Sequence, residues 1–156
     1  MVMKIAVDGS FREGRMHYGI LAEFRDKYYE FWGVTTRHPG TPCTSTAELW
    51  AVVHAMVFMR PYATVATSVH IFSDDETMIQ KINNPETNRA YHLRPLHLKI
   101  AKLADTWDQT ICPIYFHHVP REENYWPHSL ASRSGYGSRI TDIAKRQALV
   151  LDGDPA

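Results

Sequence analysis

The sequence predicts an α/β fold built on a five-stranded mixed sheet flanked by helices. Three observations predict it. Three apolar runs fall within the first 34 residues, the first ending in a turn signal and the next two, rich in aromatic and aliphatic residues, separated by only three polar ones. A long stretch, Ala47 to Met59, is apolar on every side except at Glu48 and His54, which marks a buried helix. Beyond it, short apolar runs alternate with segments of helical periodicity, the pattern of parallel strands joined by crossover helices.

Lys4–Val7 is the first strand, and Asp8-Gly9-Ser10 reads as the turn that ends it. Tyr18–Phe24 and Tyr28–Val34 form a hairpin about Arg25-Asp26-Lys27. A loop punctuated by Pro39, Gly40 and Pro42 leads into a helix over Ser45 to Met59. Val69–Phe72 is a strand, and Asp75 to Ile82 a helix that Asn83-Asn84-Pro85 breaks. Leu96, Ile100, Leu103 and Trp107 share one face of a third helix, Arg94 to Trp107. Ile111–His118 is the fifth strand. Asn124 to Ser134 is a helix that accepts Pro127 in its first turn. Ser138 to Leu149 reads as a terminal helix, and Asp152–Ala156 as a frayed end. The division is therefore one domain over residues 1–135 and a C-terminal helix and tail over 136–156.

At 156 residues the chain is long enough to bury a real core, and its apolar content of 44% excludes intrinsic disorder. The 17 Lys and Arg balance the 17 Asp and Glu, so no global basic surface argues for a nucleic-acid partner. No apolar run approaches the roughly 20 residues of a spanning helix. Cys43 and Cys112 have neither CxxC nor zinc-ligand spacing and read as reduced thiols, which suits a cytoplasmic protein without a membrane partner.

The chemistry lies in the carboxylates. Taken singly, each has a structural role available: Asp8 as a turn residue, Glu48 in a capping box Ser45-x-x-Glu48, Asp74 or Asp75 at a helix start after Ser73. His128 near a helix start fits a capping role. Taken together, two strand-end acids and the one acid of a buried helix converge at one edge of the sheet. A lone buried carboxylate is costly unless paired or bound to metal. A cluster of hard oxygen donors suits Mg²⁺ or Mn²⁺.

These residues carry a resemblance. Ile5-Ala6-Val7-Asp8-Gly9-Ser10, Thr46-Ala47-Glu48-Leu49-Trp50-Ala51 and Ile71-Phe72-Ser73-Asp74 follow one another with compatible spacing. Val119-Pro120-Arg121-Glu122-Glu123-Asn124 and His128-Ser129-Leu130-Ala131-Ser132 complete the series. Over Met3 to Ser134 the chain resembles ribonuclease H type 1, in the compact form found in plants and retroelements. The resemblance implies a ribonuclease H-like sheet of three antiparallel strands followed by two parallel ones. It also implies a hydrolase that cleaves the RNA strand of RNA/DNA hybrids with two divalent ions, Mg²⁺ or Mn²⁺, leaving 5′-phosphate ends.

By that resemblance Asp8, Glu48 and Asp74 are the core carboxylates, with Asp75 the alternative to Asp74. His128 stands where the family usually has Asp, and is expected as the fourth metal ligand. Imidazole there favours manganese over magnesium. Thr44 and Ser45 stand before the helix acid, where the family often has an Asn that contacts RNA. Glu76 replaces a Gln often found near the strand-end acid, which loosens the expectation of strict hybrid specificity. Arg12 and Arg15, just past Asp8, are candidates for holding a nucleic-acid backbone. So is Arg94, within a stretch from Lys81 to Lys102 that carries five Lys or Arg against one acid. Two alternatives remain open: another nuclease of the superfamily acting on DNA or junctions, and a non-catalytic nucleic-acid-binding module that keeps the fold.

Overall fold

The computed structural model describes residues 1–36, 41–84 and 93–144. Pro39 and Gly40 of the loop, the Pro85 break, and Arg89 and His92 of the basic stretch lie outside them.

The chain opens as a meander of β1 (Val2–Arg12), β2 (Arg15–Phe24) and β3 (Lys27–Thr35). Both connections are two-residue turns, and all four central residues have positive φ: Glu13 at 53° and Gly14 at 72°, Arg25 at 52° and Asp26 at 61°. Two successive positive-φ residues match the right-handed twist of the strands they join. Next come α1 (Thr44–Ala63), β4 (Ser68–Ser73), α2 (Glu76–Asn83), α3 (Arg94–Thr110) and β5 (Ile114–His118). A single 3₁₀ turn, Arg121–Asn124, leads into α4 (Tyr125–Ala131), and β6 (Gly137–Asp142) follows.

The strands form one mixed sheet in the order β5-β4-β1-β2-β3-β6. β1 pairs antiparallel with β2 and parallel with β4, and β4 is parallel to β5. The ribonuclease H-like arrangement of three antiparallel strands followed by two parallel ones is present, with one strand added. β6 runs antiparallel along the outer side of β3, from Lys27 opposite Asp142 to Trp32 opposite Gly137.

That sixth strand corrects the expected terminal helix: residues 138–142 are extended, and residues 145–149 fall outside the described ones. Ile140 and Thr141 are β-branched, and β3 offers a free row of backbone donors and acceptors that a strand satisfies and a helix does not. Glu30 of β3, 1% exposed, fixes the attachment. It accepts from Arg139 Nε at 2.7 Å and Nη2 at 3.1 Å, and from Trp126 Nε1 of α4 at 2.9 Å.

α1 covers β1 and β2 on one face, with Leu49, Val52, Met56 and Met59 buried against Ile5, Val7, Ile20 and Ile71. The helix continues two residues past Pro61, beyond the end the sequence suggests at Met59. α4 lies on the opposite face, over β2.

Candidate metal centre

β1 does not stop at Asp8-Gly9-Ser10. It continues to Arg12 against β2, with Asp8 opposite Gly19. What ends near Asp8 is the parallel pairing with β4, whose last partners are Ala6 and Phe72. β4 then turns away after Ser73, leaving Asp74 beside Asp8 at the carboxyl end of the parallel pair. The strand-end placement expected for both acids is therefore right for Asp74, and for Asp8 it holds with respect to β4 alone.

Glu48 reaches the same place from the first turns of α1, and Gly9 is what lets it. A Cβ on Gly9 would collide with the backbone of Ala47 and Glu48. Without a side chain there, the helix start seats directly on β1, and the Gly9 N–H donates to Glu48 Oε2 at 3.1 Å. This contact replaces the capping box. The residue that caps α1 is Cys43, whose Sγ accepts from the Thr46 N–H, so Glu48 is free for other work. Likewise Asp75 caps α2, its Oδ1 accepting from the Met78 N–H at 3.0 Å. Of the two neighbouring acids, Asp74 is the one grouped with Asp8 and Glu48.

Ligand oxygens of Asp8, Glu48 and Asp74 lie within 4.8 Å of one another, the one such cluster among the described residues. Asp8 and Glu48 are buried and Asp74 is half-buried. Burial raises the pKa of Glu48 well above the ordinary carboxylate range, and the charges of Asp8, Asp74 and Asp75 raise it further. The Gly9 N–H opposes them. Burial also raises the pKa of Asp8, with Asp74 adding to it, while a hydrogen bond from His128 works against both. Desolvation and mutual repulsion together mark a cluster that lacks positive charge.

His128, mostly exposed on α4, places Nδ1 3.0 Å from Asp8 Oδ2. Against an ionised carboxylate, which only accepts, Nδ1 carries the proton. Two contacts seat α4. Buried Asn124 donates from Nδ2 to the Val7 carbonyl at 2.9 Å, and Gly19 leaves room for the backbone of Pro127 and Ala131.

The acids, His128 and Thr44 line a cleft of about 460 Å³. Arg121, Thr77 and Phe11 also line it and were not singled out from the sequence. Arg121 was legible, since it sits inside the Val119-Pro120-Arg121 run that carries the resemblance. Ser45 faces a smaller hollow with Leu49 and Lys81. Arg12 and Arg15 line a separate cavity. Arg94 is exposed at the start of α3 and borders neither. No described helix is long and apolar enough to cross a membrane.

A family model described as reverse transcriptase-like matches residues 6–134. No curated protein matches the chain. Among solved structures, ribonuclease H1 from the halophilic archaeon Halobacterium salinarum is 16% identical, with a TM-score of 0.68 over 84% of this chain and 95% of that one. LC11 ribonuclease H1, solved in complex with an RNA/DNA hybrid, is 19% identical, with a TM-score of 0.66 over 82% and 92%. The N-terminal ribonuclease H domain of a Mycobacterium tuberculosis protein is 17% identical, with a TM-score of 0.66 over 96% and 98%. At these identities the likeness is one of fold.

Proposed function

The chain belongs to the reverse transcriptase-like family, a ribonuclease H-type fold, and from that premise we propose that it is a divalent-metal-dependent endonuclease hydrolysing the RNA strand of RNA/DNA hybrids. The observation that carries this reading is the placement of Glu48. A helix otherwise committed to the core keeps one carboxylate, buried and aimed at two more, in a cleft open to a large polyanion. The hybrid bound by the LC11 relative supports the choice of substrate.

The donor set fits hard cations. Its oxygens are close, desolvated and short of positive charge, which suits Mg²⁺ or Mn²⁺. Asp8, Glu48 and Asp74 would hold two such ions, with His128 the fourth donor at the rim. When bound, the ions supply Lewis-acid polarisation of the phosphate and an acidified water. The chain itself does the rest. Gly9 and Asn124 fix the distances between elements. His128 Nδ1 holds the proton that orients Asp8 Oδ2. Arg121 places positive charge on the cleft wall, against the phosphates.

The test is cleavage of labelled RNA/DNA hybrid, double-stranded RNA, double-stranded DNA and single strands, each in Mg²⁺ and in Mn²⁺. Asp8→Asn and His128→Ala are run alongside. The expected result is scission of the RNA strand of the hybrid, stronger in manganese, lost in Asp8→Asn and weakened in His128→Ala. Absence of cleavage on every substrate in both metals would remove the enzyme reading, and cleavage of DNA duplex alone would move it to another nuclease.

A further inference from the structure

A second cavity, of about 570 Å³, opens beyond the carboxylate cleft at the β1–β2 turn. Its wall carries Arg12, Arg15 and His17 from the hairpin, Thr36 after β3, and Ser134 and Tyr136 from the segment leading into β6. Three features there call for an anion. Arg12 and Arg15 stand directly opposite each other across the hairpin, a like-charge pairing that destabilises a strand pair. His17 is 8% exposed, and its Nδ1 is buried without a hydrogen-bond partner among the described residues. Burial disfavours a proton on His17, both arginines add to that, and Glu13 opposes them.

Arg12 is in addition held rigid. Its Nη1 donates to Ser10 Oγ at 2.8 Å and to the Ala131 carbonyl at 2.6 Å, and its Nη2 donates to the Arg133 carbonyl at 3.0 Å. It thus ties β1 to the end of α4 and forms a fixed charged wall, with exposed Arg15 facing it. We propose that this cavity is a phosphate-binding site separate from the carboxylate cleft. Arg15 is its principal donor, and the segment Ser134–Tyr136 closes it.

Its position suggests what supplies the phosphate. Asp8, Ser10 and Arg12 share one side of β1, so the site lies about 13 Å along the strand from the carboxylates. That is on the order of four nucleotide steps along a duplex axis. Tyr136, 65% exposed, and Phe11, 39% exposed, offer aromatic surface beside the same path. The backbone of a strand leaving the cleft is the occupant that uses both. This identity of the occupant, though not the site, rests on the nuclease reading above.

The experiment uses the full chain without added metal, as wild type, Arg15→Ala and Arg60→Ala. Arg60, exposed in the last turn of α1, controls for the loss of one positive charge. Tripolyphosphate is titrated while backbone amide resonances are followed, and hybrid binding is measured by anisotropy against salt. The expected result is tripolyphosphate shifts confined to residues 12–17 and 134–136, with affinity about tenfold weaker in Arg15→Ala. The salt slope of hybrid binding should also fall by about one in Arg15→Ala and stay unchanged in Arg60→Ala. Tripolyphosphate shifts absent from these segments, or equal behaviour of the two variants with both ligands, would overturn the site. Shifts at these segments in a protein that binds no hybrid would uphold it as a free-phosphate site and overturn the strand backbone as its occupant, while the nuclease reading stands or falls on the cleavage assay in both metals.

Discussion

Glu48→Gln should make the metal-free protein more stable while it removes the response to divalent cations. In the fold, Glu48 has an oxygen within 4.8 Å of oxygens of both Asp8 and Asp74. At an effective dielectric constant of about 20, two unit charges at that separation repel by roughly 3 kcal/mol. The raised pKa of Glu48 means that part of this cost is already relieved by proton uptake, so a gain of about 2 kcal/mol is the reasonable expectation. The glutamine carbonyl still accepts from the Gly9 N–H, so the helix seat is kept. For a chain of this size, about 2 kcal/mol raises Tm by roughly 4–8 °C. The wild-type protein should gain stability on adding Mg²⁺ or Mn²⁺, by about 2.7 kcal/mol at a hundredfold excess over Kd. Thermal unfolding in chelator and in each metal reads both effects. A Glu48→Gln protein that melts lower than wild type in chelator, yet keeps the wild-type metal increment, would refute the idea of a charge cluster awaiting cations.

Two further predictions concern the scaffold. Burial lowers the pKa of His54, whose Nε2 lies 3.1 Å from Thr35 Oγ1, from 6.5 to about 4. The unfolded chain takes up this proton below about pH 6.5, and the fold refuses it until about pH 4. Stability is thus lost as pH falls through that window, by up to roughly 3 kcal/mol from this residue. His54→Phe should flatten the pH dependence of denaturant unfolding there, and an unchanged profile would sink the assignment. Arg139→Ala, in turn, withdraws a bidentate partner from buried Glu30 and should cost about 2–3 kcal/mol by the same measurement. Arg139→Lys should recover only part of the loss, since an ammonium cannot reproduce the fork.

Most of the fold was legible because periodicity reports burial. The meander, α1 and the Leu96/Ile100/Leu103/Trp107 face of α3 bury most of the residues their pattern indicates, with Leu103 half-buried and Val57 of α1 exposed. β6 was not legible: Ser138 to Asp142 bury little, so hydrophobic pattern is silent, and what orders them is an open edge on β3 together with an ion pair to Glu30. The site divides in the same way. Acids at an element end or on an apolar helix stand out in one dimension. Gly9 and Gly19 looked like a turn residue and a strand residue, because close approach of two backbones leaves no compositional trace. The single-residue roles divided for a local reason. Cys43, rather than Ser45, caps α1, while Asp75 caps α2 as one of the two acids offered for it, and a sequence shows several eligible side chains without showing which one the backbone geometry selects.

The even charge balance follows from the same arrangement. Asp8, Glu48, Asp74, Asp75 and Glu76 gather five of the 17 acids around one cleft. Arg121 lines the same cleft, so the other 12 acids face 16 basic residues over the rest of the chain. Outside the cleft the sum is therefore net positive, while the cleft itself is net acidic. Low salt should strengthen capture of a polyanion at a distance, and divalent ions should decide its fate at the centre. The zero sum hides two regions of opposite sign, and their separation along β1, from Asp8 to Arg12 and Arg15, is what allows one strand to present both.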